Sequence, residues 1–303
     1  MPEKEEQAPE VPARLAKIYP QLYLTPGEEG TALYQNIVRR GNDAPTRSLA
    51  HFHGSGQDSI SVENTPAGEV EIVTLGDRRD FETFLQIMAW RCVPSRIPPS
   101  QGAAILDGVI NWPRIYAHRD EYLRAGGDGN GWNAEFKRFT ADKRNFTDAL
   151  IILSTGPYSA ISAERAGMDE QDWLKASLTI RKAHECTHFI CRRLFPDKKD
   201  ALWDELAADT VGLYAAFGRY DRNLAELFLG VTERGYSGGR LENYVPDGPE
   251  KDERLQTLSG KVYRTLEHLE QVVQAAGNVE PYALAVRLEY EITFWKEQDT
   301  TAK

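Results

Sequence analysis

The chain is poor in cysteine and histidine, carries no excess of positive charge, and lacks any long apolar run. Its 303 residues include three cysteines and six histidines, and the formal net charge is −10. A small, odd number of cysteines argues against a disulfide framework and is typical of a reducing compartment, so we predict a cytoplasmic protein. The acidic balance predicts no nucleic-acid partner, because sequence-independent binding needs lysine and arginine on phosphates.

Membrane and secretion signals are also absent from the sequence. No segment approaches the roughly 18 apolar residues that span a bilayer, so we predict no membrane partner. The start, Met1–Pro12, is charged and contains proline, unlike the apolar centre of a signal peptide. We predict that residues 1–12 form a disordered tail. The remaining composition, 41% apolar and 27% charged, is that of a globular protein.

Hydrophobic periodicity divides the rest of the chain into two parts and predicts an α+β fold. Residues 13–168 are expected to form a mixed α/β subdomain with a short-stranded sheet, and residues 169–303 an all-helical subdomain. The strands are predicted near Leu49–His53, Glu69–Leu75, Ala103–Ile110 and Ala149–Ser154. The main helices are predicted at Arg78–Cys92, Arg114–Arg124, Glu170–Phe195, Lys198–Phe217, Asn223–Glu233, Lys251–Ala276 and Pro281–Glu297.

One motif in the helical part points to metal chemistry. The segment His184–His188 reads HECTH, an HExxH sequence inside a long predicted helix. Residues four apart lie one turn apart on the same helix face, so both imidazoles can reach one metal ion. Glu185 is rotated by about 100° from His184, so it can take a proton from a water instead of binding the metal.

A third ligand is expected from the next helix, because catalytic zinc usually has three protein ligands and a water. Counting about 1.5 Å per residue down from His188 and back up the next helix places Glu205 level with His188. Asp209 then lies level with His184 on the same face. One carboxylate is placed to bind the metal and the other to hold a histidine N–H, and the spacing leaves open which does which. Cys191, three residues after His188, is a further candidate ligand.

These segments resemble the gluzincin branch of zinc metallopeptidases, the thermolysin-like enzymes. The resemblance covers about residues 169–218 and is carried by HECTH and by DELAAD, in which Glu205 and Asp209 are four apart. It implies a zincin-like fold with Zn²⁺ held by His184, His188 and Glu205. It also implies that Glu185 is the general base and that Asp209 supports the first histidine.

The resemblance implies two further features. In such peptidases a strand edge before the active-site helix pairs with the extended substrate, and Ala149–Ser154 stands in the right order; its apolar content equally predicts an ordinary core strand. These enzymes also often use a tyrosine or histidine to stabilise the oxyanion. The candidates are Tyr158, Tyr214, Tyr220, Tyr236 and His268, with Tyr214 disfavoured because it falls on the helix face opposite Glu205.

The sequence therefore predicts a zinc-dependent hydrolase, a metallopeptidase acting on a peptide or protein substrate. One alternative is a non-catalytic, partner-binding protein with a structural or vestigial metal site, which a fourth protein ligand would indicate. Another is a serine hydrolase, since Gly235–Gly239 satisfies GxSxG and His268 follows it, although no helix is predicted after it. His51 and His53 share one face of a predicted strand, which allows a second metal site or a polar strand end.

Overall fold

The chain is α+β and divides into two compact units. The computed structural model describes residues 9–42, 44, 47–198 and 200–297. The first unit comprises the described residues of Met1–Val62, Glu71–Pro98 and Ala104–Thr155. The second comprises those of Glu63–Val70, Pro99–Ala103 and Gly156–Lys303. Among the described helices, none combines the length and apolar content needed to span a bilayer.

A four-stranded sheet is built from strands β1 to β4. They span Ser59–Thr65, Gly68–Leu75, Ala103–Ile110 and Thr147–Ser154. The spatial order is β1-β2-β4-β3, and β2 pairs with β4 in parallel, from Glu71 opposite Leu150 to Leu75 opposite Ser154. Residues Leu150–Ser154 are all buried, as expected of a strand covered on both faces. Because β4 has a neighbouring strand on each side, it is a core strand, and the predicted substrate edge at Ala149–Ser154 is wrong.

Five helices belong to the first unit: α1 Glu10–Ala16, α2 Ala32–Tyr34, α3 Arg78–Met88, α4 Trp112–Arg124 and α5 Trp132–Phe139. Helix α2 continues into a π-helical turn, Gln35–Arg39. Asp77 caps α3 by accepting a hydrogen bond from the backbone of Arg79. The apolar face of α3, with Phe81, Phe84 and Leu85, belongs to the same buried core as strands β2 and β4.

Seven helices and a short hairpin make up most of the second unit. The helices are α6 Ala163–Ala166, α7 Glu170–Leu194, α8 Ala201–Phe217, α9 Arg222–Leu229, α10 Lys251–Ala276, α11 Pro281–Leu288 and α12 Ile292–Glu297. Strands β5, Val231–Thr232, and β6, Gly235–Tyr236, pair antiparallel. The segment Glu63–Val70 joins this unit: Glu63 accepts hydrogen bonds from Lys182 of α7 and Tyr282 of α11.

Helices α7 and α8 pack tightly against each other, and an aspartate caps the N-terminus of each. Asp169 caps α7, and Asp200 accepts from two backbone amides of α8. Gly212 of α8 lies directly against α7, since a Cβ there would come 2.8 Å from the carbonyl oxygen of Ile180. This close approach brings the polar residues of the two helices within reach of each other.

Several predicted boundaries need correction. The unit boundary lies at Thr155/Gly156 instead of near residue 168. Residues 10–12 belong to α1 and Val11 is buried, so the predicted tail does not extend to residue 12; residues 1–8 lie outside the described residues. The described segment 49–53 contains no strand, and the second half contains the β5–β6 hairpin, so it is not all-helical.

Two predicted helices also differ in their bounds from the helices of the structure. The helix predicted at Arg78–Cys92 ends at Met88, because Arg91 and Cys92 adopt left-handed backbone conformations. The helix predicted at Pro281–Glu297 is two helices, with a break after Leu288. The strand at Ala103–Ile110 and the helix at Lys251–Ala276 are confirmed as predicted.

Candidate metal centre

The two histidines of the HECTH motif lie side by side on one face of α7. Both are buried, and their rings meet edge to face with centroids 4.6 Å apart. Their Nε2 atoms are 3.0 Å apart. The regular helix accounts for this, because a spacing of four residues places one ring a turn above the other.

Glu205 of α8 completes a three-residue group with these histidines. Its Oε1 lies 3.3 Å from Nε2 of His188, and its Oε2 lies 3.6 Å from Nε2 of His184. Within the described part of the chain, this is the group of three or more such side chains whose ligand atoms all lie within 4.8 Å of one another. The three side chains can therefore hold a metal ion.

The donor set and its spacing fit zinc with an open position. Tetrahedral ligands about 2.0–2.1 Å from zinc lie about 3.3 Å from one another, and the three separations here range from 3.0 to 3.6 Å. Two imidazole nitrogens and one carboxylate are also the donors of a catalytic site, in which a water takes the fourth place. A fourth protein ligand, which would indicate a closed structural site, is not part of the group among the described residues.

Asp209 contacts His184 at Nδ1, whereas Nε2 of the same ring faces His188. Its Oδ1 lies 2.9 Å from Nδ1 of His184 and accepts a hydrogen bond of 2.7 Å from the hydroxyl of Tyr158. Its Oδ2 accepts from the guanidinium of Arg240, which also lies 3.7 Å from Glu205. Asp209 is thus directed at the histidine, and Glu205 is the carboxylate that joins the histidine pair.

The charges of the cluster set the protonation of its members. Burial alone would raise the pKa of Glu205, but His188, His184 and Arg240 hold that pKa well below its usual value. Burial likewise opposes ionisation of Asp209, and Arg240 and His184 reverse the effect and lower its pKa. Both carboxylates are therefore ionised at neutral pH, which is the state a metal ligand and its hydrogen-bonded neighbour require.

Glu185 is the remaining residue of the motif, and the structure leaves it partly exposed on α7. Its negative charge is close enough to contribute to the raised pKa of His184, after the larger effects of burial, which opposes the rise, and of Asp209 and Glu205. It is not one of the three converging side chains.

Two site residues were missed by the sequence analysis. Arg240 and Tyr244 lie at the two ends of a 3₁₀ turn that follows the β5–β6 hairpin. Arg240 holds Asp209. Burial raises the pKa of the Tyr244 phenol, and the negative charge of Glu205 adds to the rise. An arginine and a tyrosine in a loop about 30 residues after the ligands carry no spacing signal, so only the folded chain shows their role.

A groove in the second unit is lined in part by Tyr244. Its volume is about 590 Å³, which is within the range of small-molecule pockets. One wall is Tyr244, Val245 and Pro246. The other is Glu250 and a face of α10 formed by Glu253, Arg254, Thr257, Leu258, Lys261 and Arg264.

The residues that the sequence offers for stabilising an oxyanion have other surroundings in the structure. The hydroxyl of Tyr158 faces Asp209 and Nδ1 of His184, behind the ring. Tyr214 bonds the carbonyl oxygens of residues 277 and 279, Tyr236 bonds Gly239, and His268 pairs with Glu291. Tyr220 is buried in the apolar core of the second unit.

The remaining alternative sites are not assembled by the fold. The thiol of Cys191 donates to the buried Glu289 at 3.0 Å. His51 bonds the carbonyl oxygen of Leu22 and His53 pairs with Asp80, so the two do not form a metal group. Ser237 donates to the carbonyl oxygen of Gly230 and is followed by a 3₁₀ turn instead of the helix that a nucleophile elbow requires.

Comparison with known proteins gives one match. Residues 4–288 match the model of a family described as Family of unknown function (DUF7005). The chain belongs to this family. The match spans both units, so it includes the first unit and the three converging side chains of the second. No curated protein and no solved structure matches the chain.

Proposed function

We propose that this DUF7005 protein is a zinc-dependent hydrolase, a metallopeptidase with a zincin-like catalytic unit. The observation that carries the proposal is the convergence of His184, His188 and Glu205 next to Glu185. Each of these is a donor or an acid–base group of the type that metal-assisted hydrolysis uses.

The metal would be held by the two Nε2 atoms and the carboxylate of Glu205. When bound, zinc supplies electrophilic polarisation of a scissile carbonyl and lowers the pKa of a water. Glu185 accepts the proton of the attacking water and passes it to the leaving nitrogen. Asp209 fixes the ring orientation of His184 through Nδ1, and Arg240 and Tyr158 fix Asp209 in turn.

The substrate in this proposal is a peptide or a segment of a protein. The groove beside Tyr244 runs along α10, where the lining residues 253 to 264 span about 17 Å at 1.5 Å per residue. That length suits several residues of an extended chain at about 3.3 Å each. Three free, buried cysteines are consistent with a reducing compartment, and we place the activity in the cytoplasm.

The test combines metal content with hydrolysis of a mixed peptide library. We expect about one zinc per chain for the wild type and for Glu185→Gln, because Glu185 is not one of the ligands. Hydrolysis should fall by at least about 100-fold in Glu185→Gln, since the proton acceptor is lost while shape is retained. Glu170→Gln, at an exposed position in the first turn of α7, is the matched control and should keep full activity.

Two results would count against the proposal. If the wild type takes up no zinc even when it is offered in excess, the three side chains are not a metal site. If zinc binds and no peptide of the library is cleaved, or Glu185→Gln cleaves as well as wild type, the site is not a peptidase of this mechanism. Where the wild type binds zinc, His184→Ala and Glu205→Ala should lose it.

A further inference from the structure

A second cavity lies in the first unit, and none of the residues of the candidate metal centre line it. Its volume is about 340 Å³, near the lower end of the range for small-molecule sites. One wall is the edge strand β3 and the others are the π-helical turn and the end of α3. About half of its lining is apolar, with Val38, Ile87, Met88, Leu106 and Val109 among the residues that form it.

Two arginines and a tyrosine give this cavity a charged end. The exposed side chains of Arg39 and Arg91 both line it, and neither guanidinium has an ion-pair or hydrogen-bond partner among the described residues. Both guanidinium groups act on the phenol of the buried Tyr34: burial raises its pKa, and the two positive charges oppose the rise. Asp107, exposed on β3, also lines the cavity, so two arginines against one aspartate leave one net positive charge.

The backbone that carries Arg91 is strained. Arg91 and Cys92 have φ values of 56° and 68°, a region that non-glycine residues rarely occupy twice in succession. Hydrogen bonds fix the turn, because the amide of Cys92 donates to Gln86 and its carbonyl oxygen accepts from Gly27. A glycine at position 91 would adopt this φ without strain. An arginine is present in spite of that backbone cost, and its guanidinium lines the cavity.

The edge strand itself argues for a small molecule as the occupant. Gly108 of β3 has a φ of +78°, which interrupts regular strand geometry along the cavity wall. An added peptide strand needs a regular edge, so this interruption disfavours strand addition. The π-helical turn on the opposite wall is a backbone form that occurs frequently at functional sites.

We propose that this cavity binds a small organic oxyanion with an apolar body, a carboxylate or a phosphate monoester, through Arg39, Arg91 and Tyr34. Arginine suits this role, since its planar fork matches the geometry of both oxyanions. The apolar lining takes the rest of the ligand. The site is independent of the proposed hydrolase activity and does not require zinc.

Titration calorimetry of the whole chain tests this with benzoate, phenyl phosphate and inorganic phosphate. We expect saturable binding of benzoate or phenyl phosphate, and whichever binds more tightly identifies the headgroup. Inorganic phosphate should bind at least about tenfold more weakly, because it cannot use the apolar walls. Arg39→Gln and Arg91→Gly should each weaken the better probe by about tenfold or more.

Stability separates a binding role from a structural one. Arg91→Gly relieves the left-handed strain, so it should unfold at the same temperature as wild type or higher while losing affinity. Arg124→Gln, an exposed arginine of α4 outside the cavity lining, is the control and should bind as wild type does. Absence of saturable binding by the wild type up to about 10 mM of each probe, or wild-type affinity in the Arg39/Arg91 double variant, overturns the proposal.

Discussion

Asp209 is the residue on which the order of the metal centre depends most. It is 2% exposed, and its two oxygens meet His184, Tyr158 and Arg240. The contact with Asp209 fixes the tautomer of His184. Tyr158 fixes the position of the Asp209 carboxylate, and Arg240 keeps that carboxylate charged. Carboxylates that hold a metal-binding histidine in this way raise the basicity of the ring and fix its orientation.

We expect Asp209→Asn to weaken zinc binding by about 10- to 100-fold, the usual effect of losing such a partner. The amide also removes the negative charge beside the guanidinium of Arg240, whose side chain is 17% exposed, so the unfolding temperature should fall as well. Competition with a zinc chelator gives the affinity. Tyr158→Phe, which removes one hydrogen bond and no charge, is the comparison. Equal zinc affinities for Asp209→Asn and wild type would contradict this role.

At the scale of elements, the α7–α8 pair is the framework of the site. All three converging side chains come from these two helices, and Gly212 lets them approach closely. A Cβ at position 212 would lie 2.8 Å from the carbonyl oxygen of Ile180 and 3.0 Å from its Cγ2. The obstacle is largely backbone, which cannot move aside as the end of a long side chain can.

Gly212→Ala should therefore destabilise the protein by about 1–3 kcal/mol and also weaken zinc binding, because the helices must separate. Gly260→Ala in α10 is the matched control. A Cβ at position 260 would meet only one atom within 4 Å, the Nη1 of Arg264 at 3.7 Å. That substitution should stabilise by about 0.5–1 kcal/mol, since alanine is the better helix former. Chemical denaturation measures both; a Gly212→Ala protein as stable as wild type would show that α7 and α8 are not held this closely.

At the scale of the whole molecule, each unit contains at least one of the three cysteines, so their reactivity tests the folding of both units. Cys92 belongs to the first unit, and Cys186 and Cys191 to the second. All three are free and buried. Burial raises the pKa of the Cys92 and Cys186 thiols to about 12 and raises that of Cys191 as well. At pH 8 only about one in ten thousand of such thiols is ionised.

We expect a thiol reagent to label none of the three cysteines in the native protein at pH 8, and all three after denaturation. Zinc should slow labelling of Cys186 and Cys191 in mild denaturant, because a ligand that binds only the folded second unit opposes its unfolding. His184→Ala should remove this protection. Mass spectrometry of the labelled peptides gives each site. Rapid labelling of any cysteine under native conditions would contradict its burial.

The local pattern of the sequence determined much of the second unit. A periodicity of 3.6 predicted the extent of α7 and α10, and four-residue spacing placed His184 with His188 and Glu205 with Asp209. Two helices joined by a short turn have few ways to pack antiparallel, so counting residues was enough to bring Glu205 to the histidines. The role of zinc ligand remains a prediction for all three.

Only the tertiary structure decided features that depend on residues far apart in the chain. Whether Ala149–Ser154 is an edge or a core strand depends on which strands flank it, and that is a long-range choice. Arg240 reaches the carboxylates of α8 from a turn that no periodicity marks. The cavity with Arg39 and Arg91 likewise combines four separate segments. Short-range patterns arise from backbone geometry that each segment carries by itself, whereas these contacts exist only when the whole chain has folded.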